Sequence, residues 1–174
     1  MDFPLFQIIN NWANKNIWLD YFMIFCAEYL IFGLFLILVF LFFFLKEKTK
    51  KIQLIILALG STALAWFLNQ LISLIHFRQR PFISHHDIVQ LVQHASDKSF
   101  PSDHTTISFA LGFSIFLLNK KIGTIALVCA FFVAFARIFC GLHYPLDIFG
   151  GIIMAFCVVW IIQKIILFSK KLKN

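Results

Sequence analysis

The sequence predicts an all-α protein: a polytopic membrane helical bundle of about five transmembrane helices, preceded by a short N-terminal interfacial helix. Composition, the length of the apolar runs and the placing of the lysines each point to it. Of 174 residues, 61% are hydrophobic and 13% are charged, against roughly 45–50% and about 25% in an ordinary soluble domain. Mean hydropathy is +0.88. The 24 phenylalanines suit a surface solvated by lipid tails. This length predicts one domain spanning residues 1–174.

A hydrocarbon core about 30 Å thick takes about 20 helical residues, and the elements follow from that count. Residues 3–16 are too short and polar for a comfortable crossing and predict the interfacial helix. The first span runs from about Leu19 to Leu45 with Glu28 inside it, and the second from Ile52 to about His76, interrupted only by uncharged Asn69 and Gln70. A short third span covers about His104 to Asn119, a fourth Ile122 to Cys140, and a fifth Asp147 to Phe168. Five crossings put the termini on opposite sides. The lysines at 46, 48, 50, 51, 120, 121, 170, 171 and 173 then share one side, which the positive-inside rule makes cytoplasmic. The other face receives the loop 77–103 and the turn 141–146.

The net charge of +7 does not indicate nucleic acid, because the cations flank apolar runs in short clusters, as suits anionic membrane lipids as partners. Cys26, Cys129, Cys140 and Cys157 lie in or at the ends of apolar segments without metal-ligand spacing and predict free, inert thiols. The N-terminus lacks a basic region and a small-residue cleavage site, so the first span is expected to direct insertion. Nothing in the sequence sets an oligomeric state.

Three polar clusters, scattered along the chain, fall on the face opposite the lysines: Arg78-Gln79-Arg80-Pro81, Pro101-Ser102-Asp103-His104, and Arg137 with His143 and Asp147. Arg137 stands near the end of an apolar helix, where a charge is costly unless it snorkels or faces a polar cavity or partner. With Arg80 it makes two guanidinium forks suited to the oxygens of one phosphate. Arg78 adds charge or is a solvated loop residue. Ser102 stands where loop becomes helix, so its hydroxyl can cap the helix, donate to a phosphate, or both, while backbone N–H groups and the helix dipole favour an anion. Asp103 is a poor phosphate ligand by its charge, and only its N–H is expected to serve. His143 and Asp147 have the i, i+4 spacing by which a carboxylate steadies one imidazole nitrogen and leaves the other as nucleophile.

These clusters resemble the type 2 phosphatidic acid phosphatase superfamily, whose signature is KxxxxxxRP, PSGH and SRxxxxxHxxxD; here the matching stretches are SLIHFRQRP, PSDH and ARIFCGLHYPLD. Within it, RPF at 80–82, SFPSDHTT at 99–106, HYPLD at 143–147 and the acidic Glu28-Tyr29 are similar to the bacitracin-resistance type of undecaprenyl-diphosphate phosphatase. The resemblance implies a lipid diphosphate substrate, undecaprenyl diphosphate, and a two-step reaction without metal or other cofactor. It implies that His143 attacks phosphorus, that Asp147 orients it, and that His104 is general acid and then base. Arg80, Arg137, Ser102 and nearby N–H groups hold the phosphoryl oxygens. Two positions depart from the signature: its lysine is Ser73, for which Arg78 is expected to substitute, and its serine before the arginine is Ala136.

The same phosphate cradle serves other lipid phosphates, namely phosphatidate, phosphatidylglycerophosphate or lipid A. A metal-binding transporter is the reading from another class, prompted by His85, His86, Asp87 and His94 in the loop. It sets Arg80 and Arg137 beside a cation, which is electrostatically unfavourable.

Overall fold

The computed structural model of the protein describes residues 2–95 and 98–172. Lys173, counted above among the lysines of one face, lies outside them. The described residues form a helical bundle without strands. Its helices are α1 (Asp2–Asn10), α2 (Ile17–Glu28), α3 (Leu30–Phe44), α4 (Lys48–Ile55), α5 (Ser61–Ile75), a single turn α6 (Pro81–Ser84), α7 (Asp103–Leu118), α8 (Lys120–Phe139) and α9 (Pro145–Lys171). A π-turn, Ile56–Gly60, joins α4 to α5 into one helix of 28 residues, and Ser114 Oγ donates to the Leu57 carbonyl within it, 2.9 Å away.

Lys48–Ile75, α8 and α9 are each long and apolar enough to cross a membrane. The expected first span is instead broken: α2 and α3 meet at a 50° bend and pass only as a pair. The break sits at Glu28 and Tyr29, where Glu28 turns inward to an arginine of α8. The expected third span is α7, whose 16 residues reach about 24 Å, short of the hydrocarbon core. Its flanks are packed by α3, α5, α8 and α9, and nine of its residues are buried, which makes it the centre of the bundle. Phe40, Phe43, Phe131 and Phe168 face outward and give the bundle an apolar exterior.

Local signals in the sequence set the helix starts. Asn16 Oδ1 accepts from Trp18 N and Leu19 N at 3.0 and 3.2 Å, and Asn119 Oδ1 from Ile122 N at 3.1 Å; both are N-caps. Pro145 opens α9, and Asp147 in its first turn accepts from Tyr144 N at 2.9 Å. α1 has nine residues, too few to span, and lies against α8 and α9. Asn10 pins it there, donating to Val89 O and Phe139 O at 2.8 and 2.9 Å.

Helices alternate in direction, so one end of the bundle collects the end of α5, the starts of α7 and α9 and the end of α8. The other collects Lys46–Lys51, Lys120, Lys121 and Lys170; Lys170 Nζ donates to Gln53 Oε1 across it, at 3.0 Å.

Candidate active site

At the end of α8 the chain reverses through Gly141, whose φ is +82° and where a Cβ would lie 2.6 Å from Val89 O. The turn delivers His143, 2% exposed, two residues ahead of α9. Its Nδ1 is 2.8 Å from Ser99 O. A carbonyl only accepts, so Nδ1 carries the proton, and the lone pair is on Nε2, which faces Arg80 NH1 at 3.0 Å.

The sequence expectation gave the steadying of His143 to Asp147 across a helical turn, but His143 precedes the helix. Asp147 Oδ2 lies 3.7 Å from Nδ1, too long for a hydrogen bond, and Nδ1 donates to Ser99 O instead. Asp147 itself is fully buried, accepting from Ser99 Oγ at 2.5 Å, Tyr144 N at 2.9 Å and Arg78 NH1 at 2.8 Å. Ser99 thus touches both members of the pair with two different atoms. Sequence reasoning missed it, although it stands two residues before the PSDH run. Burial pushes the His143 imidazole down to about 4; Asp147 opposes this, and Arg80 and Arg137 reinforce it. At neutral pH the ring is therefore neutral and keeps its lone pair.

Arg80 is 4% exposed, and its NH1 also donates to Leu142 O at 3.0 Å. Arg137 is fully buried and turned inward, which disposes of the snorkelling reading. Its NH1 donates to Glu28 Oε1 at 2.8 Å and to Ala27 O at 3.4 Å, while Nε and NH2 have no partner among the described residues. Burying an incompletely paired guanidinium costs several kcal/mol, a cost that an anion at Nε and NH2 would offset.

Arg78 is placed differently from the expectation that it replaces a phosphate-holding lysine. Its NH1 is on Asp147 Oδ1 and its NH2 on Asp2 Oδ2, 2.5 Å away, with the guanidinium 3.9 Å over the Tyr144 ring. Burial alone would lower its pKa, but the two carboxylates outweigh that and hold it raised. Arg78 is a support of Asp147, and α1 contributes to it through Asp2.

Ser102 occupies the N-cap position of α7, fully buried. Its hydroxyl makes no capping bond to the helix; it pairs instead with Thr105 Oγ1 at 3.1 Å, and Ser102 N donates to Asp147 O at 3.1 Å. Close approach of α9 here requires Gly151, where a Cβ would come 2.9 Å from Thr106 Oγ1 and 3.0 Å from Ser102 O. The first-turn amides of α7 lack helical acceptors, as at any helix start. His104 follows, within electrostatic reach of Arg137, His143, His94 and Arg80.

Asp103, of which only the N–H was expected to meet a phosphate, turns its carboxylate to protein partners. It accepts from Asn69 Nδ2 at 2.9 Å, Gln70 Nε2 at 3.1 Å and Lys98 Nζ at 3.1 Å. Asn69 and Gln70, the polar interruptions of the second span, thereby find their partner. In the loop, His85 stacks on Phe3 with ring centroids 3.7 Å apart, and among the described residues no three His, Cys, Asp or Glu side chains gather as a ligand set.

The model of the PAP2 superfamily matches residues 53–171, the stretch that carries Arg80, the PSDH run, Arg137, His143 and Asp147. The chain belongs to the PAP2 superfamily. It is 36% identical over 156 residues to the undecaprenyl-diphosphatase BcrC of Bacillus subtilis, covering 89% of this chain and 79% of that one. It is 34% identical over 169 residues to a protein of Bacillus licheniformis called bacitracin transport permease protein BcrC, with coverage of 95% and 82%. Among solved structures it resembles LpxE of Aquifex aeolicus, with a TM-score of 0.70, 30% identity and 94% of each chain covered. This PAP2 protein is a multi-pass membrane enzyme of the phosphatase class.

Proposed function

We propose that the protein is an undecaprenyl-diphosphate phosphatase that works through a phosphohistidine on the outer face of the cytoplasmic membrane, returning undecaprenyl phosphate to cell-wall synthesis. One observation carries the reading: a neutral imidazole whose Nε2 lone pair faces Arg80, beside a fully buried Arg137 with two nitrogens left to bond. The similarity to BcrC supports the substrate, and the lysines at the opposite end support the orientation.

His143 Nε2 attacks the terminal phosphorus as Arg80 turns from the ring to a phosphoryl oxygen. Arg137 Nε and NH2, Ser102 Oγ and first-turn amides of α7 take the other oxygens, where charge builds in the transition state. The bond from phosphorus to the bridging oxygen breaks, and His104, which takes up a proton once the diphosphate charge offsets the cations around it, gives that oxygen the proton, releasing the lipid monophosphate. His104 then takes a proton from water as the water attacks phosphorus. The P–N bond breaks, inorganic phosphate leaves and His143 is restored.

The test is purified protein in detergent with undecaprenyl diphosphate labelled on the terminal phosphate, quenched in base to trap acid-labile label. Wild type is expected to carry label on His143 and to release phosphate in the presence of EDTA. His143→Ala and His104→Ala are each expected to lose about a thousandfold or more in release while eluting as wild type. Turnover at the wild-type rate by His143→Ala refutes the mechanism. Preference for phosphatidate, phosphatidylglycerophosphate or a lipid A phosphate in the same assay refutes the substrate.

A further inference from the structure

We infer that Lys98 selects diphosphates over monophosphates by holding the phosphate that stays on the lipid. This rests on the proposed reading that the substrate is a lipid diphosphate and that His104 protonates the bridging oxygen.

Lys98 comes from the loop before α7, yet its side chain is only 10% exposed. Its ammonium is fixed by Asp103 Oδ1 at 3.1 Å, and that carboxylate is fixed in turn by Asn69 and Gln70 of α5. A flexible lysine is thus held as a point charge by a part-buried frame of two amides and one carboxylate, of which Asn69 is fully buried. An ammonium has three N–H donors, and the bond to Asp103 uses one.

The position relative to His104 gives the charge its task. Consecutive helix residues point about 100° apart; Asp103 turns to Asn69 and Gln70 of α5, while His104, next in sequence, is within electrostatic reach of Arg137, His143 and Arg80. A diphosphate laid across His104 has its terminal phosphorus against His143 and the arginines. The bridging oxygen meets His104, and the second phosphate lies on the side of Asp103 and Lys98. A monophosphate has nothing to place there.

The experiment compares kcat/KM for undecaprenyl diphosphate and undecaprenyl monophosphate in detergent, for wild type, Lys98→Gln, Lys98→Met and Lys98→Arg. The two neutral variants are expected to lower the diphosphate-to-monophosphate ratio by about tenfold to a hundredfold, the range that charge-assisted hydrogen bonds are worth. Lys98→Arg, which keeps the cation, is expected to hold the ratio within about threefold of wild type. Parallel loss on both substrates would mean that Lys98 only positions Asp103, and an unchanged ratio would mean that it does not meet the lipid phosphate; either overturns the inference. Two neutral variants of different polarity guard against a folding defect in one. If wild type itself releases no phosphate from the diphosphate, the substrate reading fails first, and that arm is read separately.

Discussion

The two ends of the bundle use charge in opposite ways. At the lysine end, Lys46, Lys48, Lys50 and Lys120 are exposed, and a pair such as Lys50 with Glu47 is 52% and 60% exposed. Exposed pairs contribute about 0–1 kcal/mol, so this end works by number, as a field near headgroups, and no single lysine is indispensable. At the other end Arg80, Arg137, His143 and Asp147 are each at most 4% exposed, and most of their bonds go to assigned partners. There a charge works by position, and each removal strands a neighbour.

The sharpest way to break the contrast is Arg137. Replacing it with Ala leaves Glu28 without its ion pair and removes two buried donors that have no other partner among the described residues, and kcat/KM is expected to fall about a hundredfold to a thousandfold. Arg137→Lys is expected to recover little, because one ammonium cannot bond Glu28 and two phosphoryl oxygens in the same plane. Phosphate release by detergent-purified variants checks this. Activity within about threefold of wild type in Arg137→Ala would make the buried cation a structural brace, and the two ends would differ only in burial.

Arg78 separates supporting charge from substrate-holding charge within the same end. Its two terminal nitrogens are taken by Asp147 and Asp2, so its loss should be felt through Asp147 and the imidazole beside it. Arg78→Ala is expected to lower kcat about tenfold with KM within about twofold, the pattern of an interaction that matters in the transition state. The sequence alone led to a different expectation, that Arg78 stands in at the phosphate for the lysine replaced by Ser73. A raised KM with unchanged kcat would return Arg78 to the phosphate.

That reversal shows where the sequence stops being legible. Apolar run lengths located every long helix, because burial in lipid leaves a chain few alternatives. The alternation of helices brought RP, PSDH and the His143–Asp147 stretch to one end. What hydropathy could not carry was the side-chain pairing. The bend between α2 and α3 follows from Glu28 reaching Arg137, 109 residues away, and an acidic residue in an apolar run does not announce its partner. Asp103 was judged against a phosphate because of its sign, while its carboxylate was directed at α5 by Asn69 and Gln70. Ser99 acts partly through a backbone carbonyl, which no residue type reveals. Lys98 looked like any loop lysine until its 10% exposure set it apart.

The smallest expected effect lies at the lysine end and tests the other half of the comparison. The combined variant Lys46→Gln, Lys48→Gln, Lys50→Gln and Lys51→Gln removes four positive charges. The partners it costs are weak: an exposed ion pair with Glu47 and the contact of Lys51 over the Phe42 ring, 5.0 Å from its centroid. Each is worth under about 1 kcal/mol where exposed. In detergent, where insertion and orientation no longer count, kcat/KM is expected to stay within about twofold of wild type. The helices between the two ends run about 30 Å, and the lysines, exposed to solvent, are screened by water and salt at their own surface, so little of their field is expected to reach the imidazole. A tenfold loss in the combined variant would show that the ends are coupled through the long helix Lys48–Ile75, which joins the lysine cluster to Asn69 and Gln70. The frame around Asp103 would then be the place to look for that coupling.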